Sequence, residues 1–381
     1  MARGLIGAAE IVFGGRRHLG LAAPLIRGAA RPWPSPFDGA PEEVLRHRGR
    51  QVCVLASGDP FHYGVGAVLA RHIHAREMIV VPAVSAFSLA AARLGWSLPQ
   101  TVLISVHGRT LDLVRPHLQP GARILALTSD GEDPAALAKL LAESGFGASR
   151  LTVLEALGGS RERIRPTSAA GYDLGAVDAL NTLAIEAAAA PGARVLARTP
   201  GLADNLFEHD SQITKREIRA VTLSSLAPRR GELLWDIGAG AGSVAIEWML
   251  ADPMMRAMAI EQRSDRAARI RRNAAAFGVP GLEIVEGGAP AALAGLAAPD
   301  AVFIGGGSDN GVHDAAARAL RPGGRLVVNA VTLETEALLL ARHTALGGEL
   351  IRIAISRAGP VGEKTGWRAA MPVTQWLWTK P

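Results

Sequence analysis

Apolar positions along this chain fall in short runs. Glycine or a polar turn closes each run, and stretches of helical spacing separate them. The clearest case is residues 232–261. Leu233-Leu234-Trp235 leads into Asp236, and three glycines follow at alternate positions, Gly238, Gly240 and Gly242. Val244, Ala245, Ile246, Trp248 and Met249 then keep a helical spacing, and a second apolar run, 257–260, ends in Glu261. This pattern predicts a strand, a glycine-rich turn, a helix and a second strand closed by an acid. Glycine lets the backbone turn tightly and approach a ligand. A carboxylate at the end of the next strand can accept hydrogen bonds from both hydroxyls of a ribose. The stretch is therefore expected to cradle a small molecule bearing a nucleoside, the alternative being a glycine-rich βα turn with no ligand.

The same alternation runs through the rest of the chain. In the first half, helices are expected at 2–9, 41–48, 64–74, 83–94 and 133–144. Strands are expected at 10–13, 51–56, 79–81, 102–106, 123–128, 151–155, 182–186 and 194–197, with a proline-rich loop at 31–37. In the second half, helices are expected at 214–226, 264–277, 312–320 and 333–346, and strands at 282–285, 300–304 and 325–329. Segments 350–356 and 373–379 suit a closing hairpin. Thr214, with Glu217 three residues on, fits a capping box. Strands alternating with helices give an α/β class. Residues 187–200 carry alanine, proline and glycine without an amphipathic period, so a boundary is expected there, with domains at 1–196 and 197–381. Open α/β sheets bind ligands at the turns after their strands. Here those turns are 57–60, 84–87, 107–109, 238–242, 286–290 and 305–307.

Composition narrows the classes. With 381 residues and 49% hydrophobic content, two packed domains are available and disorder is disfavoured. Cys53 is the only cysteine, which rules out an intrachain disulfide and a cysteine metal cluster and suits a reducing cytoplasm. His62, His72 and His74 have poor metal spacing, so no metal is expected. No apolar run reaches the length of a membrane span. The formal charge is +6 with only four lysines, so the basic set is mostly arginine, which pairs with carboxylates in bidentate fashion. A polyanionic partner fits. Nucleic acid does not, because the basic residues are scattered and aromatic content is 4%.

A dinucleotide fold wants G-x-G-x-x-G with its helix aimed at a pyrophosphate. Here the spacing is G-x-G-x-G, and Asp236 precedes it where a phosphate would be repelled. The run suits a cationic, phosphate-free ligand with an amino-acid tail, and it resembles motif I of class I S-adenosylmethionine (SAM) methyltransferases. That resemblance places Thr214, Asp236, Gly238, Ala239, Gly240, Ala241, Gly242 and Glu261 around SAM. Such enzymes often carry an acid at the position of Gly288; here a backbone contact at Ala289 would serve. Gly306, among three glycines, leaves room for a bulky substrate.

The first half also resembles a known family. LASGDPFHYGVGAVLAR (55–71) and VPAVSAFSLAAARLGW (81–96) look like the tetrapyrrole methylase fold, the class III SAM methyltransferases. The resemblance implies that Gly58, Asp59 and Ser85 contact a second SAM. His107 and Arg109 either meet substrate carboxylates or form a structural turn. That family opens with a strand and a glycine-rich turn ahead of the helix near Ala2. This sequence holds neither, so an N-terminal domain lacking its first strand is expected. With SVHGR, LEALGG, FEHDSQITKREIRA, FIGGG, LRPGGRLVVNAVTLET and GEKTGWRAAMPVTQW added, nearly the whole chain resembles the fused precorrin-6Y methyltransferases. The resemblance implies methylation of C5 by the first domain, and of C15 with decarboxylation of the ring C acetate by the second. It further implies two SAM sites, an anionic precorrin substrate in cobalamin biosynthesis and no metal; a homo-oligomer is expected. His209, Asp210 and Glu334 are candidates for a general acid. The rivals are a SAM methyltransferase of RNA or protein, a chain active only in its second half, a non-catalytic tetrapyrrole binder and a dinucleotide oxidoreductase.

Overall fold

The computed structural model describes residues 1–34 and 37–381. The chain forms two compact units, Met1–Arg109 with Gly121–Pro191, and Thr110–Pro120 with Gly192–Pro381.

The first unit carries helices α1 (Ala2–Ala8), α2 (Arg16–Ala22), α3 (Ala40–Leu45), α4 (Val65–Leu69), α5 (Ala86–Leu94) and α6 (Asp133–Leu141). Its strands are β1 (Ile11–Gly14), β2 (Ala29–Pro32), β3 (Val52–Val54), β4 (Thr101–Ser105), β5 (Arg123–Leu127), β6 (Arg150–Glu155), β7 (Arg163–Ser168) and β8 (Asn181–Glu186). A parallel sheet has the order β2-β1-β3, and a mixed sheet the order β4-β5-β8-β6-β7. Ser85 caps α5 by accepting from the Ser88 N–H at 3.2 Å, and Gly95 closes that helix in the left-handed region. Phe87, Ala90 and Ala91 of α5 then pack on Leu125, Leu154 and Ala184. Two expected strands, 79–81 and 194–197, form no strand, and the Val195 N–H closes a tight turn onto the Ala193 carbonyl at 2.9 Å. Apolar runs that short do not specify pairing. The strand at 51–56 shrinks to β3 and is half-buried. Helix α2 and strands β2 and β7 were not expected. β7 contains Pro166 and lies at a sheet edge, where a missing N–H is tolerated.

The second unit runs α7 (Arg216–Leu226), β9 (Leu233–Ile237), α8 (Ser243–Leu250), β10 (Arg256–Glu261), α9 (Ser264–Ala276), β11 (Glu283–Glu286), β12 (Ala301–Ile304), α10 (Asn310–Ala319), β13 (Arg325–Ala330) and α11 (Leu333–Leu346). It closes with β14 (Glu349–Ile353), β15 (Ser356–Val361), β16 (Lys364–Ala369) and β17 (Val373–Thr379). The seven-stranded sheet has the order β11-β10-β9-β12-β13-β17-β14, parallel through β13 and antiparallel at β17. Every residue of β9 is buried, as a central parallel strand covered on both faces requires. Leu234 faces one core with Trp248, Ile270 and Phe303, whereas Leu233, Trp235 and Ile237 face the other with Val312, Leu326 and Trp376. The closing hairpin is real, with β14 paired to β17, but a further exposed hairpin, β15–β16, interrupts it. Its polar and glycine-rich residues carry no apolar alternation. The expected capping box at Thr214 is not formed. Lys215 is the N-cap, and its ammonium has no lone pair to accept a cap bond; Thr214 lies one residue outside the helix, with its carbonyl held by Arg219.

Candidate active site

Strands β9, β10, β11 and β12 point their carboxyl ends at one cavity of about 590 Å³. The size suits a small-molecule ligand. Its floor is the turn after β9. The N–H groups of Gly238 and Ala239 both donate to the Ile260 carbonyl, at 2.9 and 3.2 Å, which locks the turn onto β10. Gly238 has φ +71°, and a Cβ there would lie 2.7 Å from the Gly306 oxygen. Glycine is thus required by both backbone conformation and the approach of the turn after β12.

Glu261 ends β10 on the cavity wall. One carboxylate oxygen accepts from the Gly240 N–H at 2.8 Å and the other from the Arg263 N–H at 3.0 Å. Both bonds fix its orientation, and each oxygen keeps acceptor capacity for a ligand hydroxyl. Gly288, Ala289 and Gly306 line the same space, as does Thr214. Asp236 does not. It is buried beneath the turn, where Oδ2 accepts from the Ala245 N–H at 3.1 Å and Oδ1 has no hydrogen-bond partner among the described residues. Burial pushes its carboxyl up to about 7; the Ala245 bond opposes this and the nearby Glu261 charge adds to it. Asp236 is therefore not positioned to repel a phosphate at the mouth of the turn. Ala241 and Gly242 also stand behind the lining, where Gly242 closes on Ile270.

None of the three candidate general acids lines the cavity. The His209 ring accepts from the Ser211 N–H at 3.1 Å. Asp210 is bound by Arg266 at 3.0 Å and Arg269 at 3.2 Å. Although burial opposes it, those hydrogen bonds hold its carboxyl well below the usual carboxylate range. An anion so held is a poor proton donor. Glu334 is an exposed residue in the first turn of α11.

Sequence reasoning missed several lining residues. Arg263 is the N-cap of α9 and Arg266 lies in its first turn, and their nearness to Glu261 in sequence was a usable signal. Asn329 lines the wall and is held by Thr222 at 2.9 Å and Gln375 at 2.8 Å. Arg357, Ala370 and Met371 come from the hairpin region that the apolar pattern does not announce. Arg357 is paired with Glu217, whereas Lys215 has no ion-pair partner among the described residues.

A buried network fixes the wall formed by residues 211–215. Arg219 is wholly buried and donates to Glu247 at 2.6 Å, to Asp204 at 3.1 Å, and to the carbonyls of Thr214 and Leu202. Glu247 in turn accepts from the N–H groups of Gly201 at 2.7 Å and Leu202 at 3.0 Å.

In the first unit the structure brings Gly58, Asp59 and Ser85 together. A Cβ on Gly58 would lie 2.9 Å from the Ser85 Cα, and the Gly58 carbonyl accepts from the Ala83 N–H at 3.2 Å. The Asp59 carboxylate caps its own turn, accepting from the Phe61 N–H at 2.8 Å. The ring of His107 bonds the Thr128 carbonyl at 3.0 Å, and Arg109 is exposed. The His62 ring lies tilted against Phe87, with ring centres 4.8 Å apart. No cluster of metal-ligating side chains occurs among the described residues.

Comparison with known proteins covers both units. Residues 1–172 match the family model for Tetrapyrrole (Corrin/Porphyrin) Methylases, and residues 205–380 match the Precorrin methyltransferase domain. A Salmonella typhimurium protein, cobalt-precorrin-6B C(15)-methyltransferase (decarboxylating), is 33% identical over 45% of this chain and 91% of its own length. The precorrin-6Y C(5,15)-methyltransferase [decarboxylating] of Mycobacterium tuberculosis is 40% identical over all of this chain and 95% of its own length. A Sinorhizobium protein of the same name is 63% identical over all of this chain and 92% of its own length. By this end-to-end identity across both units, the chain belongs to the precorrin-6Y C(5,15)-methyltransferase (decarboxylating) family.

Proposed function

We propose that this chain is a SAM-dependent C-methyltransferase. It methylates C5 and C15 of a precorrin and removes the ring C acetate carboxyl as carbon dioxide, in cobalamin biosynthesis. The observation that carries the reading is the Gly238–Gly306 cradle beside the fixed carboxylate of Glu261, in a chain 63% identical to a relative of that name.

The residues fit SAM. Glu261 would accept from both ribose hydroxyls, and the backbone at Gly288 and Ala289 would flank the base. The glycine turn from Gly238 admits the amino-acid tail without side-chain obstruction. Bound there, SAM supplies an electrophilic methyl on a sulfonium. The protein's task is then alignment and exclusion of water. Lys215, unpaired among the described residues, is placed to hold a peripheral carboxylate at the cavity wall. Carbon dioxide can leave when the conjugated macrocycle takes up the released electron pair, so the second unit needs no dedicated nucleophile. We assign C15 methylation and decarboxylation to this unit. The support is that a relative spanning under half of this chain carries that activity in its name. C5 methylation falls to the first unit, with a second SAM at Gly58, Asp59 and Ser85.

The test is mass spectrometry of the product formed by the full chain from SAM and a precorrin-6Y-type substrate. Two methyl groups gained and one carbon dioxide lost are expected. Glu261→Ala should leave one methyl addition and stop both the other addition and the decarboxylation. Unchanged product from that variant would sink the assignment of the second unit.

A further inference from the structure

Strands β1 and β3 run parallel, so the turns that follow them emerge side by side. His18, in α2 just after β1, meets Ser57, just after β3. The His18 Nε2 lies 2.6 Å from the Ser57 Oγ. The Arg17 guanidinium reaches both atoms, at 3.0 Å from Oγ and 3.1 Å from Nε2. These contacts favour one arrangement of the protons. A guanidinium only donates, so an Nε2–H would meet Arg17 donor against donor, and the contact favours a bare Nε2. Neutral His18 then carries its proton on Nδ1. The single lone pair of Nε2 goes to the closer Ser57 hydroxyl, which donates to His18 at 2.6 Å and accepts from Arg17 at 3.0 Å. The result is one directed chain, from Arg17 to Ser57 to His18. Burial, with the Arg17 charge adding to it, lowers the pKa of His18, so the ring is held neutral and able to accept. Ser57 is exposed, and it immediately precedes Gly58 and Asp59. Arg17 has no carboxylate partner among the described residues.

We propose that Ser57 and His18 form a proton-accepting dyad in the first unit, oriented by Arg17, which takes the proton that a ring carbon sheds when a methyl group replaces its hydrogen. This rests on the methyltransferase reading above. The balance is as follows. The π pair of the ring carbon forms the new carbon–carbon bond, and the pair of the broken carbon–sulfur bond stays on sulfur. The carbon now bears both methyl and hydrogen, and the ring is cationic. The carbon–hydrogen bond then breaks and its pair restores the π bond. Its proton passes to the Ser57 Oγ as the hydroxyl proton passes to the His18 Nε2. A cationic carbon acid needs only a weak base, so a histidine of lowered basicity suffices, provided it is neutral beforehand.

Two measurements on the full chain test the dyad. Nitrogen-15 NMR without substrate should find His18 as the Nδ1–H tautomer with a bare Nε2, and Ser57→Ala should shift the Nε2 signal. An Nε2–H tautomer would overturn the proposal. In turnover, His18→Gln and Ser57→Ala should each lower kcat for C5 methylation by about 100-fold or more, with KM for SAM unchanged. Each should also bring out a primary deuterium isotope effect from substrate deuterated at C5. A rise in KM for the precorrin alone, without the isotope effect, would make the cluster a carboxylate anchor and overturn the dyad. Ser57→Ala removes one exposed hydroxyl and keeps the fold, so loss of folding in His18→Gln leaves the test intact. If the unaltered chain adds no methyl at C5, the methyltransferase reading of this unit fails and takes the dyad with it. Full C5 activity in both variants defeats the dyad alone.

Discussion

Arg219→Met should strongly destabilise the second unit. Arg219 is wholly buried and engages two carboxylates and two carbonyls. Methionine fills the volume but leaves Glu247 as a buried anion with only the Gly201 and Leu202 N–H groups for company. Removing one partner of a buried pair costs about 3–5 kcal/mol. For a unit of this size that lowers the melting temperature by roughly 6–20 °C. Removing both charges, in Arg219→Met with Glu247→Leu, should recover only part of this. The carboxylate also satisfies two backbone donors, and each orphaned N–H costs about 1–3 kcal/mol. Thermal and urea unfolding of the second unit's transition measure both. If Arg219→Met came within about 1 kcal/mol of the parent chain, or the double variant matched it, the network would not be the anchor of the 201–215 segment.

The remaining expectations concern the glycine turn. Asp236 carries a folded-state pKa of about 7 against an ordinary 3.8, chiefly because it is buried. A folded value above the unfolded one stabilises the fold fully below about pH 4, and that contribution is lost as pH rises through about 7. Asp236→Asn keeps an acceptor for the Ala245 N–H and stays neutral, so relative to the parent it should gain stability by more than about 1 kcal/mol between pH 5 and pH 8. An equal difference at both pH values in urea unfolding would refute the shift. Gly238→Ala would place a Cβ 2.7 Å from the Gly306 oxygen at φ +71°. Calorimetry should find SAM binding weakened by more than about 10-fold, equivalent to about 1.4 kcal/mol; affinity within twofold of the parent would show that the cradle yields.

Much of the second unit was legible because its signals are local. Apolar runs fully buried in a parallel sheet, glycines where backbones touch, and an acid at the end of β10 all lie within a few residues of one another. The general-acid candidates were not legible, since the same residue types serve equally as caps, ion-pair partners and surface groups. Asp210 turned out to be held by two arginines, and Glu334 to be exposed. Asp236 stands closest to the line between the two. Its position before the glycines was plain, but which way its carboxyl faced was not.

By itself, the sequence determined two α/β halves, the glycine cradle, the carboxylate of Glu261 and the resemblance of both halves to one family. Those follow from period, turn chemistry and short spacings, which act through the backbone of a single segment. Only the tertiary structure decided that Arg219 is buried among carboxylates instead of solvated, that an exposed hairpin brings Arg357 to the cavity, and that His18 meets Ser57. The last two residues are 39 positions apart. Parallel pairing of β1 with β3 brings them within hydrogen-bond distance, and pairing between distant strands is set by packing of the whole unit, which no local pattern encodes.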